Sequence, residues 1–458
     1  MEWMKRGLVA LAVLAGLCLA LVTPEGMTAL QSRTLGLVLV TLSLWGTGLV
    51  PGFLAALIFL TAVVISGLAA PEVAFSGFTS QAAWLVISGF VIGEAIRASG
   101  LGGRLAQLVG PHLGRGYGVL LYGLMALGMG LGFLMPSSLG RAVVLMPVGL
   151  ALADRLGFAR GSNGRIGIAL TIAFGTHMPS FAILPSNIPN VVLTGMAERL
   201  YDLKLGYAGY LVLHYPVLGV LKSLVTVWLI RRFFPATIDA PAEAAPDTPT
   251  GNPRRQLWLL AVLLVTLAFW VTDSLHGIPA AWIGMATSVV LMLPVVGFLP
   301  GPAFRNAIDF GMLLFIAGAI GLGAVVNQTG LGAVIAHALA SALPLAPGHD
   351  FTNFASLVGL TTATSFFTTV IGAPAVLSPL AGELAQLTGL PLQTVLMTQV
   401  VGFSTILLPY QSGPLLVAMG LSGEGTRPLL RVTLSLALIT LLVLVPLDYL
   451  WWALLGRF

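Results

Sequence analysis

Runs of about 20 mostly apolar residues, separated by short polar segments, follow one another along nearly the whole of this 458-residue sequence. Runs of that length cross a bilayer as helices, because hydrocarbon offers no water to satisfy backbone N–H and C=O groups. The chain is therefore read as an all-α polytopic membrane protein. Composition agrees: 57% of the residues are hydrophobic and 8% are charged, where soluble domains carry roughly 25% charged residues. The net charge of +5 reflects Lys and Arg gathered in cytoplasmic loops, so it does not point to nucleic acid. With Cys18 as the single cysteine, neither an intrachain disulfide nor a cysteine-based metal centre is available, and the six histidines have no ligand spacing.

The apolar windows predict eleven spans, at about 7–23, 35–49, 51–70, 80–98, 168–195, 207–230, 257–272, 280–299, 310–327, 391–420 and 428–456. Two further stretches, about 118–152 and 353–387, are too long for one helix. Each has a polar centre, Pro136-Ser137-Ser138 in the first and Thr368-Thr369 in the second, and each is predicted to fold back as a re-entrant hairpin. The first span, preceded by Lys5 and Arg6, also has the look of a signal peptide, but no small-x-small cleavage site precedes Pro24.

The pattern is written twice. ISGFVIGEAIRASGLGG (87–103) recurs as FIAGAIGLGAVVNQTGLGA (315–333), with Ser99-Gly100-Leu101 aligned on Thr329-Gly330-Leu331. Downstream, MPSSLGRAVVLMPVGLA (135–151) is answered by TTVIGAPAVLSPLAGEL (368–384), and AILPSNIPNVVLTG (182–195) by ILLPYQSGPLLVAMG (406–420). A repeated apolar half, broken by Pro- and Gly-bearing polar segments at matching places, points to a transporter with its site at the repeat interface.

A cytoplasmic amino terminus puts Lys5, Arg6, Arg97, Arg104, Arg115, Arg155, Arg160, Arg165, Arg231, Arg232, Arg254, Arg255, Arg305, Arg427 and Arg431 inside. Only Arg33, Arg199, Lys204 and Arg457 then fall outside, and Arg141 and Lys222 lie at membrane depth. This bias fits the positive-inside rule and predicts a carboxyl terminus outside. It also places one hairpin on each side, so the two halves have inverted topology. The predicted organisation is an N-terminal helix (1–34), a first repeat (35–232), a Pro/Ala/Thr-rich cytoplasmic linker (233–256) and a second repeat (257–458).

The order of a helix ended by Ser-Gly-Leu or Thr-Gly-Leu, a hairpin with a polar tip, and an unwound helix with a Pro-Asn turn resembles the divalent anion:sodium symporter (sodium-sulfate symporter) family. It does so in both halves, from about residue 35 onward. The resemblance implies transport of small divalent anions, dicarboxylates or sulfate-like, by an elevator motion of hairpins and unwound helices against a scaffold. It also implies a homodimer in the cell (inner) membrane. In that family Ser-Asn-Thr tips and Thr-Pro-Pro-Asn-like turns hold substrate and sodium. Carried over, these motifs fall on Ser137, Ser138 and Leu139, on Thr369, Val370 and Ile371, and on Ser186, Asn187, Pro189 and Asn190. The last counterpart is Gln411, Ser412, Gly413 and Pro414, with Leu415 where the family has asparagine. The implied substrate contacts are Ser137, Ser138, Arg141, Asn187, Asn190, Thr368, Thr369 and Ser412, with sodium at Ser137, Ser138 and Asn190.

These departures bear on coupling. Sodium is a hard cation needing several oxygens, and asparagine is missing at both tips and at one turn. Arg141 stands four residues past Ser137, at a depth where an Arg costs at least ~2.5–3.5 kcal/mol without a partner or water. A guanidinium there attracts an anion and repels sodium. It is expected to take over charge compensation, making the protein an anion exchanger or a proton-coupled carrier. The competing reading pairs Arg141 with a helix carboxyl end or lets it snorkel to the cytoplasm.

His177 has a binding or proton-relay reading and a packing reading, and Lys222 faces either a cavity or the interface. Glu94 and Arg97 read as a local ion pair. Half-helices that begin at tips and turns aim free N–H groups at the bilayer centre, which suits a dianion without many basic residues. No HExxH, phosphate loop or nucleophile elbow supports an enzyme. The remaining alternatives are a sodium-coupled symporter of the same anions, a cation/proton antiporter, an arsenite-type permease and a channel.

Overall fold

The computed structural model describes residues 2–105, 116–238, 251–294, 298–299 and 301–458. The expected cytoplasmic Arg115 and half of the linker, 239–250, lie outside these residues. Among the described residues the secondary structure is helical, with no strand. The first group is α1 Glu2–Leu21, α2 Ala29–Thr47, α3 Gly52–Ile65, α4 Gln81–Ser99, α5 Tyr117–Leu134 and α6 Ser138–Arg155. Next come α7 Asn163–His177, α8 Ile188–Tyr201, α9 Tyr207–Phe233, α10 Pro253–Val271, α11 Ala280–Met292 and α12 Phe310–Gln328. The other helices of eight or more residues are α13 Leu331–Ala342, α14 Asp350–Leu377, α15 Ala381–Thr388, α16 Leu392–Phe403, α17 Gly413–Ser422 and α18 Arg427–Leu454.

Eight segments among the described residues are long and apolar enough to cross a membrane: α1, α4, α5, α9, α10, α12, α14 with α15, and α18. The helices α3, α11, α16 and α17 are apolar but shorter. Helix α2 begins earlier than the hydropathy window implies, because Thr28 and Gln31 close a capping box whose two bonds measure 3.2 and 2.8 Å. Conversely, α11 stops at Met292, seven residues short of the expected 280–299 span. Leu293 precedes Pro294, and the residue before proline disfavours helical geometry.

Several local features occur twice along the chain. Helices α4 and α12 each have 19 residues and each is followed by a glycine in the left-handed region, Gly100 at φ 71° and Gly330 at φ 69°. That conformation needs glycine and ends the helix. Both α9 and α18 carry a π-helical segment, at Tyr215–Leu221 and Thr440–Leu444. The two unwound regions fall at 178–187, between α7 and α8, and at 404–412, between α16 and α17. Helix α13, which fills only 12 residues after Gly330, is too short for a spanning window and was not legible from hydropathy.

Both polar centres break their helices where the sequence expects. Residues 135–137 separate α5 from α6, while Thr369 interrupts α14 at φ 74° and ψ 166°. A β-branched residue at positive φ is an outlier that costs roughly 1–3 kcal/mol and marks an over-determined position. Helices α5 and α6 both pack on α7, α14 packs on α16, and α17 lies against α6 and α7. The turn before α17 thereby meets the first break in the interior.

Candidate functional site

The first break is built around Arg141. Ser137 caps α6 by accepting from the Gly140 N–H at 3.1 Å, leaving Ser138 and Arg141 on the first turn. The Arg141 side chain is fully buried. Its Nε and Nη2 donate to the Thr176 carbonyl at 3.0 and 2.7 Å, near the carboxyl end of α7, where carbonyls lack helical partners. Nη1 donates to Ser186 Oγ at 2.9 Å and to the Met135 carbonyl. Nη2 also reaches Ser138 Oγ at 3.2 Å and the Ser186 carbonyl at 3.5 Å. The guanidinium thus ties the tip, the end of α7 and the turn before α8 together. No carboxylate takes part in these bonds, so the positive charge stays uncompensated within the site.

Ser180, which the sequence did not single out, gathers the rest. Its Oγ is 3.3 Å from Ser138 Oγ and accepts from Asn187 Nδ2 at 3.0 Å. Asn190 Nδ2 donates to the carbonyls of Ser180, Phe181 and Ile183 at 3.1, 3.1 and 3.0 Å. Asn190 Oδ1, also buried, has no partner among the described residues. Ser186 Oγ completes the network by donating to the Gly132 carbonyl at 2.8 Å. Ser138, Arg141, Asn187 and Asn190 are therefore brought into one polar cluster, while the Ser137 hydroxyl caps its own helix at the edge of it. The residues sequence reading missed are those acting through backbone carbonyls, Met135 and Thr176, together with Ser180.

The second half enters through Ser412, whose Oγ lies 2.7 Å from His177 Nε2. The His177 ring packs edge-on against Phe181, and its Nδ1 is buried without a partner among the described residues. Thr368 is not drawn into this cluster: its hydroxyl bonds the Thr364 carbonyl at 2.8 Å and the Thr369 carbonyl at 3.3 Å, within its own helix. Thr369 supplies the kink, and the Tyr410 hydroxyl ties this tip to the second turn by bonding the Phe366 carbonyl. Lys222 lies elsewhere in the interior, donating to the Ser404 carbonyl at 2.7 Å and to Ser404 Oγ at 3.2 Å. Arg97 pairs with Glu94, one turn away at the end of α4, as the spacing predicts.

Sodium at the first tip requires oxygens that Arg141 already occupies. Met135 O, Thr176 O and the Ser186 hydroxyl converge on a guanidinium, and a second cation beside it meets like-charge repulsion. Asn190 Oδ1 is a buried side-chain oxygen that no donor among the described residues occupies. A sodium ion held by Ser137, Ser138 and Asn190 would therefore share this tip with the Arg141 charge.

Residues 2–458 match the family profile described as the sodium:sulfate symporter transmembrane region. The chain belongs to the sodium:sulfate symporter family. Among its relatives is the dicarboxylate transporter 2.2 of Arabidopsis thaliana chloroplasts, 26% identical over 95% of this chain and 82% of that protein. The L-tartrate/succinate antiporter of Escherichia coli K12 is 24% identical over 82% of this chain and 80% of its own length. The crystal structure of the Alcanivorax borkumensis YdaH transporter shares the fold, with a TM-score of 0.57, 19% identity and coverage of 87% and 89% of the two chains. In this member of the sodium:sulfate symporter family, Arg141 and Leu415, the latter where the sequence resemblance led to an expected asparagine, are both fully buried.

Proposed function

We propose that this protein is a secondary transporter that exchanges one small divalent anion, a dicarboxylate or a sulfate-like oxyanion, for another across the membrane. The observation that carries the reading is the fixed guanidinium of Arg141 at the first helix break. It supplies permanently the positive charge that a sodium ion would bring and lose in each cycle. Helices α6, α8 and α17 begin around the same cluster, and their amino-terminal N–H groups add positive potential for a dianion. The named relatives support the substrate class, since they are a dicarboxylate transporter and a tartrate/succinate antiporter.

In this reading the halves are inverted repeats comprising eleven spans and two re-entrant hairpins. The breaks move as one body against a scaffold of α2, α3, α10 and α11 with contributions from α4 and α12. The molecule works as a homodimer in the cell membrane, amino terminus inside and carboxyl terminus outside. The test is uptake of labelled succinate, tartrate and sulfate by proteoliposomes, with either an inward sodium gradient or unlabelled anion inside. Uptake that requires internal anion and ignores sodium is expected. Accumulation driven by sodium without internal anion overturns exchange in favour of symport.

A further inference from the structure

Four charged side chains are buried in the interior among the described residues: Arg141, Arg165, Lys222 and Asp448. Arg165 faces the carboxylates of Asp154 and Glu424, and Arg141 belongs to the anion cluster. Lys222 and Asp448 take no part in that cluster. The Lys222 ammonium donates to the two oxygens of Ser404, at the end of α16. Asp448, on α18, is fully buried; the Trp452 side chain comes close enough to favour charge on its carboxylate, but neither oxygen completes a well-formed hydrogen bond among the described residues. Lys222 lies within electrostatic reach of it. A carboxylate in such surroundings is strongly disfavoured unless it acquires a partner.

Trp452 adjoins both Asp448 and a small cavity. Trp452 stands one turn beyond Asp448 on the same face of α18, and its indole is the polar group nearest the carboxylate, although its N–H completes no well-formed hydrogen bond among the described residues. A cavity of about 100 Å³ lined by Leu213, Gln393, Thr394, Trp452 and Arg457 reaches this ring. On the other side of Trp452 stands His214, ring centroids 5.5 Å apart, with both ring nitrogens unpartnered and Tyr210 against it at 4.5 Å. Other titratable or charged groups near the pair are His177 on α7, which Lys222 and Arg141 both influence, and Arg457 in the cavity wall. Tyr449, next to Asp448, packs among Phe351, Phe354 and Phe458. Lys222 also connects to the anion cluster through the chain: the unwound segment that starts at Ser404 ends at Ser412, the partner of His177.

Charge counting gives the pair a role, and it rests on the anion-exchange reading above. With the histidines counted as neutral and Arg165 balanced by Glu424, Arg141, Lys222 and Asp448 together carry +1, and a bound divalent anion takes these groups to −1. One proton on Asp448 brings them to zero. We propose that Asp448 is a proton-binding site: on anion binding its carboxylate forms an O–H bond with a proton delivered by water beside Trp452, while Lys222 stays an ammonium on Ser404, and the proton leaves when the anion leaves. The neutral loaded body crosses the bilayer. The unloaded one, still positively charged, does not, and obligatory exchange follows.

Two experiments on the full chain decide this. In liposomes loaded with tartrate, exchange against labelled tartrate is followed at equal pH on both sides, from neutral to alkaline, where the substrate remains a dianion because its carboxyls titrate near the ordinary range of about 4. Wild-type exchange is expected to fall as pH rises, by up to about tenfold per unit, the limit for one required proton. Asp448→Asn, fixed in the uncharged form, is expected to give a flat profile. A wild-type pH profile in Asp448→Asn overturns the proposal. Infrared difference spectra between acid and alkaline buffer need no transported substrate: a carboxylic C=O band lost in Asp448→Asn and kept in Glu383→Gln supports the site, and a band unchanged in Asp448→Asn overturns it. If the wild type exchanges neither tartrate nor sulfate, the anion-exchange reading fails while the infrared band still decides the proton site.

Discussion

His177 Nε2 and Ser412 Oγ lie 2.7 Å apart and join the carboxyl end of α7 to the turn before α17, linking the two halves across 235 residues. The bond is buried on both sides. Ser412→Ala leaves His177 Nε2 unpaired in addition to Nδ1, which already lacks a partner. An orphaned buried polar atom costs about 1–3 kcal/mol. The expected outcome is a lower melting temperature in detergent and a weaker anion-induced thermal shift, with Ser412→Thr retaining both. Equal thermal shifts in Ser412→Ala and wild type exclude a role for this bridge in shaping the site.

Arg141→Gln tests the fixed charge. The substitution strips donors from the Met135 and Thr176 carbonyls and the Ser186 hydroxyl, each worth about 1–3 kcal/mol if left unpaired. Arg141→Lys keeps the charge, but a single ammonium has three donors and no planar fork to span these acceptors. Tartrate exchange is expected to be lost in the Gln variant and partly kept in the Lys variant, as measured by initial rates in liposomes. Gln-variant transport with unchanged anion affinity removes Arg141 from the mechanism.

Asn190 makes an unusually directional prediction. Its amide nitrogen faces the carbonyls of Ser180, Phe181 and Ile183. Asn190→Ala leaves three acceptors without this donor, whereas Asn190→Asp turns an ionised oxygen toward them and adds repulsion. The Asp variant, although nearly the same size, is expected to be the less stable by thermal denaturation and to bind anion more weakly. A melting temperature for Asn190→Asp at or above that of Asn190→Ala contradicts the assigned amide orientation.

Much of this arrangement was legible because hydropathy and breakers act locally. Apolar length marked the long helices, the Ser-Gly-Leu and Thr-Gly-Leu ends marked the left-handed Gly100 and Gly330, and the polar centres marked the breaks before Ser138 and at Thr369. The partners of Arg141 were not legible, since two of them are backbone carbonyls whose availability depends on where α5 and α7 end. Ser180 looked like one serine among many; its place emerges only once residues 178–187 leave the helix and turn it toward Ser138 and Asn187. The Asp448–Lys222 relationship spans 226 positions and has no motif, because it depends on α9 and α18 packing in the interior.

The crossing of α5 and α7 positions the whole first cluster, and its tolerance should differ sharply between neighbouring glycines. A Cβ at Gly128 would sit 2.7 Å from the Gly175 backbone, which cannot move without displacing α7. A Cβ at Gly175 meets the Met125 sulfur at 3.2 Å first, and a flexible thioether can shift. At Gly130, on the same helix as Gly128, nothing lies within 4 Å. Gly128→Ala is therefore expected to cost about 1–3 kcal/mol through overpacking. Because α5 ends one residue before the Met135 carbonyl that Arg141 grips, the same variant should slow anion exchange. Gly175→Ala should be milder in both respects. Gly130→Ala should be neutral or raise the melting temperature, since alanine is favoured over glycine in a helix by up to about 1 kcal/mol. Thermal denaturation of the three variants, with tartrate exchange measured alongside, checks the order, and a Gly128→Ala protein as stable and active as Gly130→Ala refutes the close crossing.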